Sequence, residues 1–404
     1  MSNNKMGKKI HAFTVEEYKD RLVKVKADME SKGMDVMVVS DPANIYYISG
    51  YDALSFYTPQ AVIISLDLDE PVIILRLQDH YAGALTCWMK DDNIIAFPDK
   101  YLWEPEKMYV WDFVADRLKE RKLDKKTIGV EMHAYYYTHF SHLTLTRGLP
   151  DAKFVDATKL INWIRGPKSK QELEYMEIAA RITENAMWNA LKGVKPGVRE
   201  NAVGAGVMRD QGLGVGYYGG DTVSLPPIIS SGERTQAAHF TYQSEGYFQD
   251  NQLTYMELSG CYKRYHAPLS RTICTGAVPP EIQKAAPAVI EGLNVALDTI
   301  KEGVLCEDVE SAWQRTINKY GIEKESRMGY TVGCSYAPVW AEESAYFKPG
   351  EKFALKENMT FHIMPGIWLN GYGMAITETL RVTKTGCETI TKFPRKLFLA
   401  DELE

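Results

Sequence analysis

The sequence predicts two domains, an N-terminal α/β domain over residues 1–163 and an α+β domain over residues 164–404. Three observations lead there. A chain of 404 residues exceeds what one ordinary hydrophobic core spans. Its first part alternates helical and strand-like apolar patterns. Near Asn162 that texture gives way, across the Gly166-Pro167 break, to a long helical stretch followed by further helices and strand-like runs.

Each element has its own signal. TVEEYKDRLVKVKADMESKG reads as a helix, with Thr14 placed as its cap, Glu17 three residues on, and Lys-Gly at its end. MDVMVVS, NIYYISG, QAVIISLD and PVIILRLQ read as strands, KMYVWDFVADRLKERKLD as a helix, and TIGVEM as another strand. Beyond Pro167 the segment KSKQELEYMEIAARITENAMWNALKGV is helical, as are PPEIQKAAPAVIEGLNVALDTIKEG and the region around CEDVESAWQRTINKYG. The strand-like runs between and after them predict a mostly antiparallel, curved sheet covered by helices on one face.

Composition narrows the partners. With 47 basic and 53 acidic residues the formal charge is −6, and no basic block stands ready to track a phosphate backbone, so nucleic acid is not an expected partner. MSNNKMGKKIHAF runs into polar sequence instead of an apolar signal core, and the apolar run AVIISLDLDEPVIIL is broken by acidic residues. No membrane partner is expected, and the expected location is the cytoplasm. Six scattered cysteines, without a CxxC pair, read as reduced buried thiols. GLGVGYYG lacks both the entering strand and the following helix of a dinucleotide fingerprint, so no cofactor is expected.

Polar groups inside apolar strand patterns are the useful chemical signal, because an unpaired buried charge is costly and usually has a specific partner. His239 follows a Ser-Ser-Gly turn in PPIISSGERTQAAHFTY, Glu257 lies in LTYMELSG, and Glu378 lies in GMAITETLRV. Singly, each suits an ordinary core or surface role; together they offer an imidazole that passes a proton near neutrality and two carboxylates that hold a cation or act on water. His266 in GCYKRYHAPLSRT is a substrate-binding candidate or a polar strand edge. Tyr330, Tyr336 and Trp340 in RMGYTVGCSYAPVW wall a small pocket or simply pack. Arg327 neutralises a substrate carboxylate or pairs with an acid such as Glu325.

These segments carry a resemblance. RGPKSKQELEYMEIAARI, SSGERTQAAH and TETLRVTKTGCETITKFPRKLF resemble the catalytic-domain opening, the histidine segment and the C-terminal strand of the creatinase, prolidase and aminopeptidase P superfamily, and DPANIYYISGY extends the likeness into the N-terminal domain. The resemblance implies a creatinase-type N-terminal domain and a pita-bread catalytic domain. Metallopeptidases of that superfamily bind two metal ions through two Asp, one His and two Glu. Laid on that pattern, the five positions here hold Glu257, Pro268, Tyr330, Met364 and Glu378, three of which are unsuited to a hard metal, so no metal site is expected.

GYDALSFY, QDHYAG, ELSGCYKRYHAPLSRT, NKYGIEKESRMGYTVGCSYAPVW and FHIMPGIWLNGYGMAITET resemble more closely the ectoine hydrolase branch. That likeness implies metal-independent opening of a small zwitterionic cyclic amidinium acid, with His239, Glu257 and Glu378 as the catalytic group. The creatinase likeness also implies a homodimer in which the N-terminal domain of one subunit covers the other's site, which makes Phe56 and Tyr57 substrate-contact candidates across the interface; plain packing is the other reading. The rival activities are creatinase-type amidinohydrolysis of another guanidino or amidino acid and metal-dependent Xaa-Pro peptidase action. A non-catalytic binding module is the rival from outside enzymology.

Overall fold

The structure, a computed structural model, describes residues 8–403. The chain divides after Arg165 into two compact units.

The first unit runs α1 (Val15–Ser31), β1 (Val36–Val39), α2 (Pro42–Ser49), β2 (Ala61–Ser65), β3 (Val72–Arg76), α3 (His80–Thr86), β4 (Ile94–Phe97), α4 (Lys100–Trp103), α5 (Val110–Glu120), β5 (Thr127–Val130), α6 (His139–Gly148), β6 (Lys153–Asp156) and α7 (Leu160–Ile164). Its six strands form one mixed sheet in the order β4-β3-β2-β1-β5-β6. Val36, Val38, Ile63, Ile74 and Ile128 on one face pack with Trp111, Val114 and Leu118 of α5. In the central strands the alternate residues Met37, Val39, Val62, Ile64, Ile73 and Leu75 are also buried, so β1, β2 and β3 read as continuous apolar runs. Thr14 caps α1 by accepting from the Glu17 amide at 3.2 Å, in keeping with the sequence.

NIYYISG, expected as a strand, is helical. Asp41 accepts from the Ala43 and Asn44 amides at 2.9 and 3.1 Å, Pro42 occupies the first turn, and Gly50 closes α2 with φ of 79°. Glu131 secures the same turn, accepting from the amides of Ser40 and Asp41 at 2.6 and 2.8 Å and from Asn44 Nδ2 at 2.6 Å. Every residue of α2 is buried, so the helix carries no amphipathic stripe to reveal it.

The second unit contains α8 (Lys170–Gly193), α9 (Glu200–Leu213), β7 (Ile228–Ser231), β8 (Gln252–Tyr262), β9 (Tyr265–Thr275), α10 (Pro280–Thr299), α11 (Cys306–Asn318), β10 (Gly329–Val332), β11 (Ala341–Phe347), β12 (Thr360–Ile363), β13 (Ile367–Leu369), β14 (Tyr372–Met374), β15 (Glu378–Val382), β16 (Cys387–Thr389) and β17 (Phe398–Leu399). Strands order as β17-β9-β8-β7, as β11-β10-β12-β15-β16 and as the hairpin β13-β14. All pairings in this unit are antiparallel except that of β17 with β9. The two larger sheets are stitched where Ser270 donates its amide to Thr377 Oγ1 at 2.7 Å and Thr379 donates its hydroxyl to the Pro268 carbonyl at 2.7 Å.

Helices cover one face of each sheet. Met187 and Ala190 of α8 and Val203 and Val207 of α9 pack on Met256, Leu258, Leu269 and Ile273. A side chain at Gly260 would place its Cβ 2.3 Å from the Ala179 carbonyl, so the close approach of α8 to β8 requires glycine there. Leu293 of α10 and Trp313 of α11 cover Phe361, Ile363, Leu380 and Val382. Each such fully buried side chain contributes about 1.5–3 kcal/mol of burial energy. Among the described residues no helix is long and apolar enough to cross a membrane.

Candidate active site

Alternation along the strands separates a covered face from an inner one. Met256 and Leu258 lie under the helices, which turns Tyr255, Glu257 and Ser259 the other way. Across the ladders, Ile228 of β7 and Ser270 of β9 stand opposite Glu257, Thr272 opposite Tyr255, and Pro268 opposite Ser259. Glu257 is buried and has no basic group within ion-pair distance among the described residues. Burial raises its pKa from 4.5 to about 7, against the opposing pull of the Ser270 hydroxyl and the Lys324 charge. A carboxylate so poised suits a general base near neutral pH.

A chain of hydrogen bonds flanks it. Trp340 Nε1 donates to the Tyr330 hydroxyl at 2.7 Å, that hydroxyl lies 2.9 Å from His362 Nδ1, and His362 Nε2 lies 2.8 Å from Thr377 Oγ1. Thr377 Oγ1 also accepts the Ser270 amide, directly across from Glu257. Burial drives the His362 pKa down to about 3, so its ring is neutral, and burial with the Glu257 charge raises that of Tyr330. This relay fixes the inner wall in position; neither ring is a source of charge at neutral pH.

Two cations stand nearby. Lys324 donates to the Met364 carbonyl at 3.2 Å and lies 4.9 Å from the Trp368 ring and 5.5 Å from the Trp313 ring. Burial lowers its pKa from 10.5 to about 7 despite the attraction of Glu257. Arg327 is exposed, its guanidinium 5.0 Å from the Tyr330 ring and 4.8 Å from the Tyr346 ring. Of the two sequence readings for Arg327, stacking on aromatic rings replaces the expected acid partner.

Glu378 does not join Glu257, which corrects the expected carboxylate pair. It stands opposite Ile363 on β12, in phase with Leu380 and Val382 on the helix-covered face. There Arg271 Nη2 donates to it at 2.6 Å, Arg395 Nε at 3.2 Å, and the Thr391 hydroxyl at 2.5 Å. Arg271 spends its other donors on the carbonyls of Ser270, Thr377, Phe393 and Pro394 at 2.6–2.9 Å. Its charge is thus already matched within the fold by Arg271 and Arg395. A shift of one residue reverses a strand side chain, and Thr377 takes the inward position.

The other candidates fall into three groups. Tyr330 and Trp340 line the inner face as described, while Tyr336 is buried with the Arg264 guanidinium 4.7 Å from its ring. His266 is buried with both ring nitrogens engaged, Nε2 by the Ser224 amide and hydroxyl at 3.0 and 3.1 Å and Nδ1 by the Arg264 carbonyl at 3.0 Å; this corrects its expected substrate contact. Burial drives its pKa down to about 4. His239 is exposed on an irregular segment, one residue after Ala238, whose carbonyl accepts the Tyr255 hydroxyl from the Glu257 face. In the first unit, Phe56 and Tyr57 lie on a short turn, Phe56 edge-on to Tyr136 and Tyr57 exposed.

Known proteins share this arrangement of units. The family model for the creatinase/prolidase N-terminal domain matches residues 21–166, and that for metallopeptidase family M24 matches residues 174–384. The chain belongs to family M24. Within it, the chain is 40% identical to an uncharacterized hydrolase/peptidase of Sinorhizobium fredii, over 96% of this chain and 99% of that one. It is 38% identical to the ectoine hydrolase of Halomonas elongata, over 96% of this chain and 98% of that one. The recombinant prolidase structure from Thermococcus sibiricus superposes with a TM-score of 0.81 at 21% identity, covering 95% and 99% of the two chains, which shows the shared fold. The protein is accordingly a hydrolase of the pita-bread superfamily.

The M24 metal positions do not fit a dinuclear centre here. The Pro268 carbonyl is taken by Thr379, the Tyr330 hydroxyl belongs to the relay, the Met364 carbonyl is taken by Lys324, and Glu378 faces away with Arg271. Of those five positions Glu257 supplies a hard anionic oxygen on the inner face, and among the described residues no group of three His, Cys, Asp or Glu is placed to hold a metal.

Sequence reasoning passed over His362, Thr377 and Lys324. His362 met the criterion applied to Glu257, a polar residue within an apolar strand, in the segment TFHIM. Lys324 lies in the polar run IEKESR, which carries no signal of burial.

Proposed function

We propose that this M24 hydrolase opens the cyclic amidine ring of ectoine to N-acetyl-diaminobutyrate without a metal ion. The observation that carries the reading is Glu257, a buried carboxylate without an ion-pair partner among the described residues, on a face whose former metal positions hold Pro268, Tyr330 and Met364. Such a site attracts a cation, and a cyclic amidinium is one. The 38% identity to an ectoine hydrolase supports the choice among amidinium compounds.

Chemically, the amidinium carbon is already electrophilic, so the reaction dispenses with the Lewis acid that a neutral peptide carbonyl needs. Glu257 takes a proton from water as the water oxygen bonds to the ring carbon between the two nitrogens. Collapse of the tetrahedral adduct breaks one ring carbon–nitrogen bond, and His239 supplies the proton that lets nitrogen leave as an amine. Water is consumed, and the ring carbon with its methyl group becomes the acetyl amide.

The test is to treat purified protein with EDTA, verify its metal content, and follow ectoine by NMR. Formation of N-acetyl-diaminobutyrate without metal supports the reading. Turnover restored only by added metal overturns metal independence, and conversion of another guanidino or amidino acid in place of ectoine reassigns the substrate.

A further inference from the structure

Glu257 has an opposite number. The Lys324 ammonium is half-buried, yet no carboxylate lies within ion-pair distance of it among the described residues. Two buried charge pairs of this unit are matched directly, Lys168 with Glu342 at 2.7 Å and Arg271 with Glu378 at 2.6 Å. One of the three ammonium donors goes to the Met364 carbonyl, and the Trp313 and Trp368 rings supply diffuse negative charge. Among the described residues no protein group is recorded as taking the other two donors.

The surroundings show where the ammonium sits. Trp368 meets Tyr255 edge to face with ring centroids 6.4 Å apart, and Tyr255 shares the inner face with Glu257 two residues on. Lys324 and Glu257 feel each other's charge without forming an ion pair. A cationic and an anionic group held apart in one site are complementary to a ligand whose own two charges are held apart. Arg327 is a weaker claimant, since it is exposed to water and already stacked on Tyr330 and Tyr346.

We propose that Lys324 determines specificity by binding the carboxylate of a zwitterionic substrate while Glu257 engages its amidinium end. This rests on the reading of the reaction given above and assigns the site's second charge.

The experiment compares wild type, K324M and K324R on ectoine and on the same methyl-tetrahydropyrimidine ring without its carboxylate, with thermal unfolding confirming that each variant is folded. Wild type prefers the carboxylate-bearing ring. In K324M the KM for ectoine rises on the order of 10- to 100-fold, the loss expected for a charge-assisted hydrogen bond, while the KM for the ring without carboxylate rises far less, so the preference between the two rings collapses. K324R keeps most of the preference.

An unchanged preference in K324M, or an equal fall on both rings, overturns the assignment of Lys324 and leaves the reaction standing. If wild type opens neither ring, the reaction itself is wrong and the assignment falls with it.

Discussion

Two glutamates of the second unit are both buried and are differently supplied with charge. Glu378 lies on the helix-covered face with Arg271, Arg395 and Thr391 around it, in a cluster where every guanidinium donor of Arg271 has an acceptor. Glu257 lies on the inner face with its nearest cation, Lys324, beyond ion-pair reach. Burial alone therefore does not mark a catalytic carboxylate. The difference lies in whether the fold itself completes the pair, as it does for Glu378, or leaves the carboxylate without an ion-pair partner among the described residues, as it does for Glu257.

That contrast can be broken or sharpened by mutation. The largest effect is expected at His239, whose replacement by alanine should lower kcat by about 100-fold or more if it donates the proton to the leaving nitrogen. Its exposed position predicts an unfolding midpoint close to wild type. An H239A protein with full ectoine turnover would remove it from the mechanism.

On the covered face the cost should appear as stability. R271M leaves Glu378 buried with only Arg395 and Thr391, and breaking a buried ion pair from one side costs about 3–5 kcal/mol. Urea unfolding measures this. A loss below about 1 kcal/mol would show that the cluster relaxes and that the fold does not depend on it.

The inner face should show itself in pH dependence. Glu257 titrates near 4.5 when unfolded and near 7 when folded, so between those values the native state binds more protons than the unfolded state. Its contribution is then most favourable below pH 4.5 and declines as the pH rises to about 7, by about 3 kcal/mol in all. Lys324, lowered to about 7, acts in the opposite sense above that pH, where loss of its proton relieves the folded state. Comparing the pH–stability curve of wild type with that of E257Q isolates the first limb, which should flatten in the variant.

The smallest effect is expected at Tyr330. Y330F removes the hydroxyl that joins Trp340 to His362 and should cost about 1–3 kcal/mol of stability, because the indole N–H and one imidazole nitrogen lose their partner. Retained turnover at saturating substrate would show that the relay serves as a wall.

Much of this was legible in the chain, and the failures have physical causes. Domain texture, the Thr14 cap and the long helices could be read because their signals are local and periodic. The segment Pro42–Ser49 misled because a helix buried on all sides shows no stripe. Glu257 and Glu378 both stand out as acids within apolar strands, but that criterion does not separate a carboxylate without an ion-pair partner among the described residues from one paired with Arg271. The phase of Glu378 with Leu380 and Val382, visible in the alternation of ITETLRV, already put it with the core. Lys324 was illegible because its burial comes from the distant residues Trp313, Met364 and Trp368.

The comparison of the two glutamates is tested most directly by measuring ectoine turnover and unfolding free energy side by side for E257Q and E378Q. The account predicts that E257Q loses turnover by about 100-fold or more with little loss of stability, and that E378Q loses stability while its folded fraction still turns over substrate. Full activity in E257Q, or an inactive but fully stable E378Q, would contradict it.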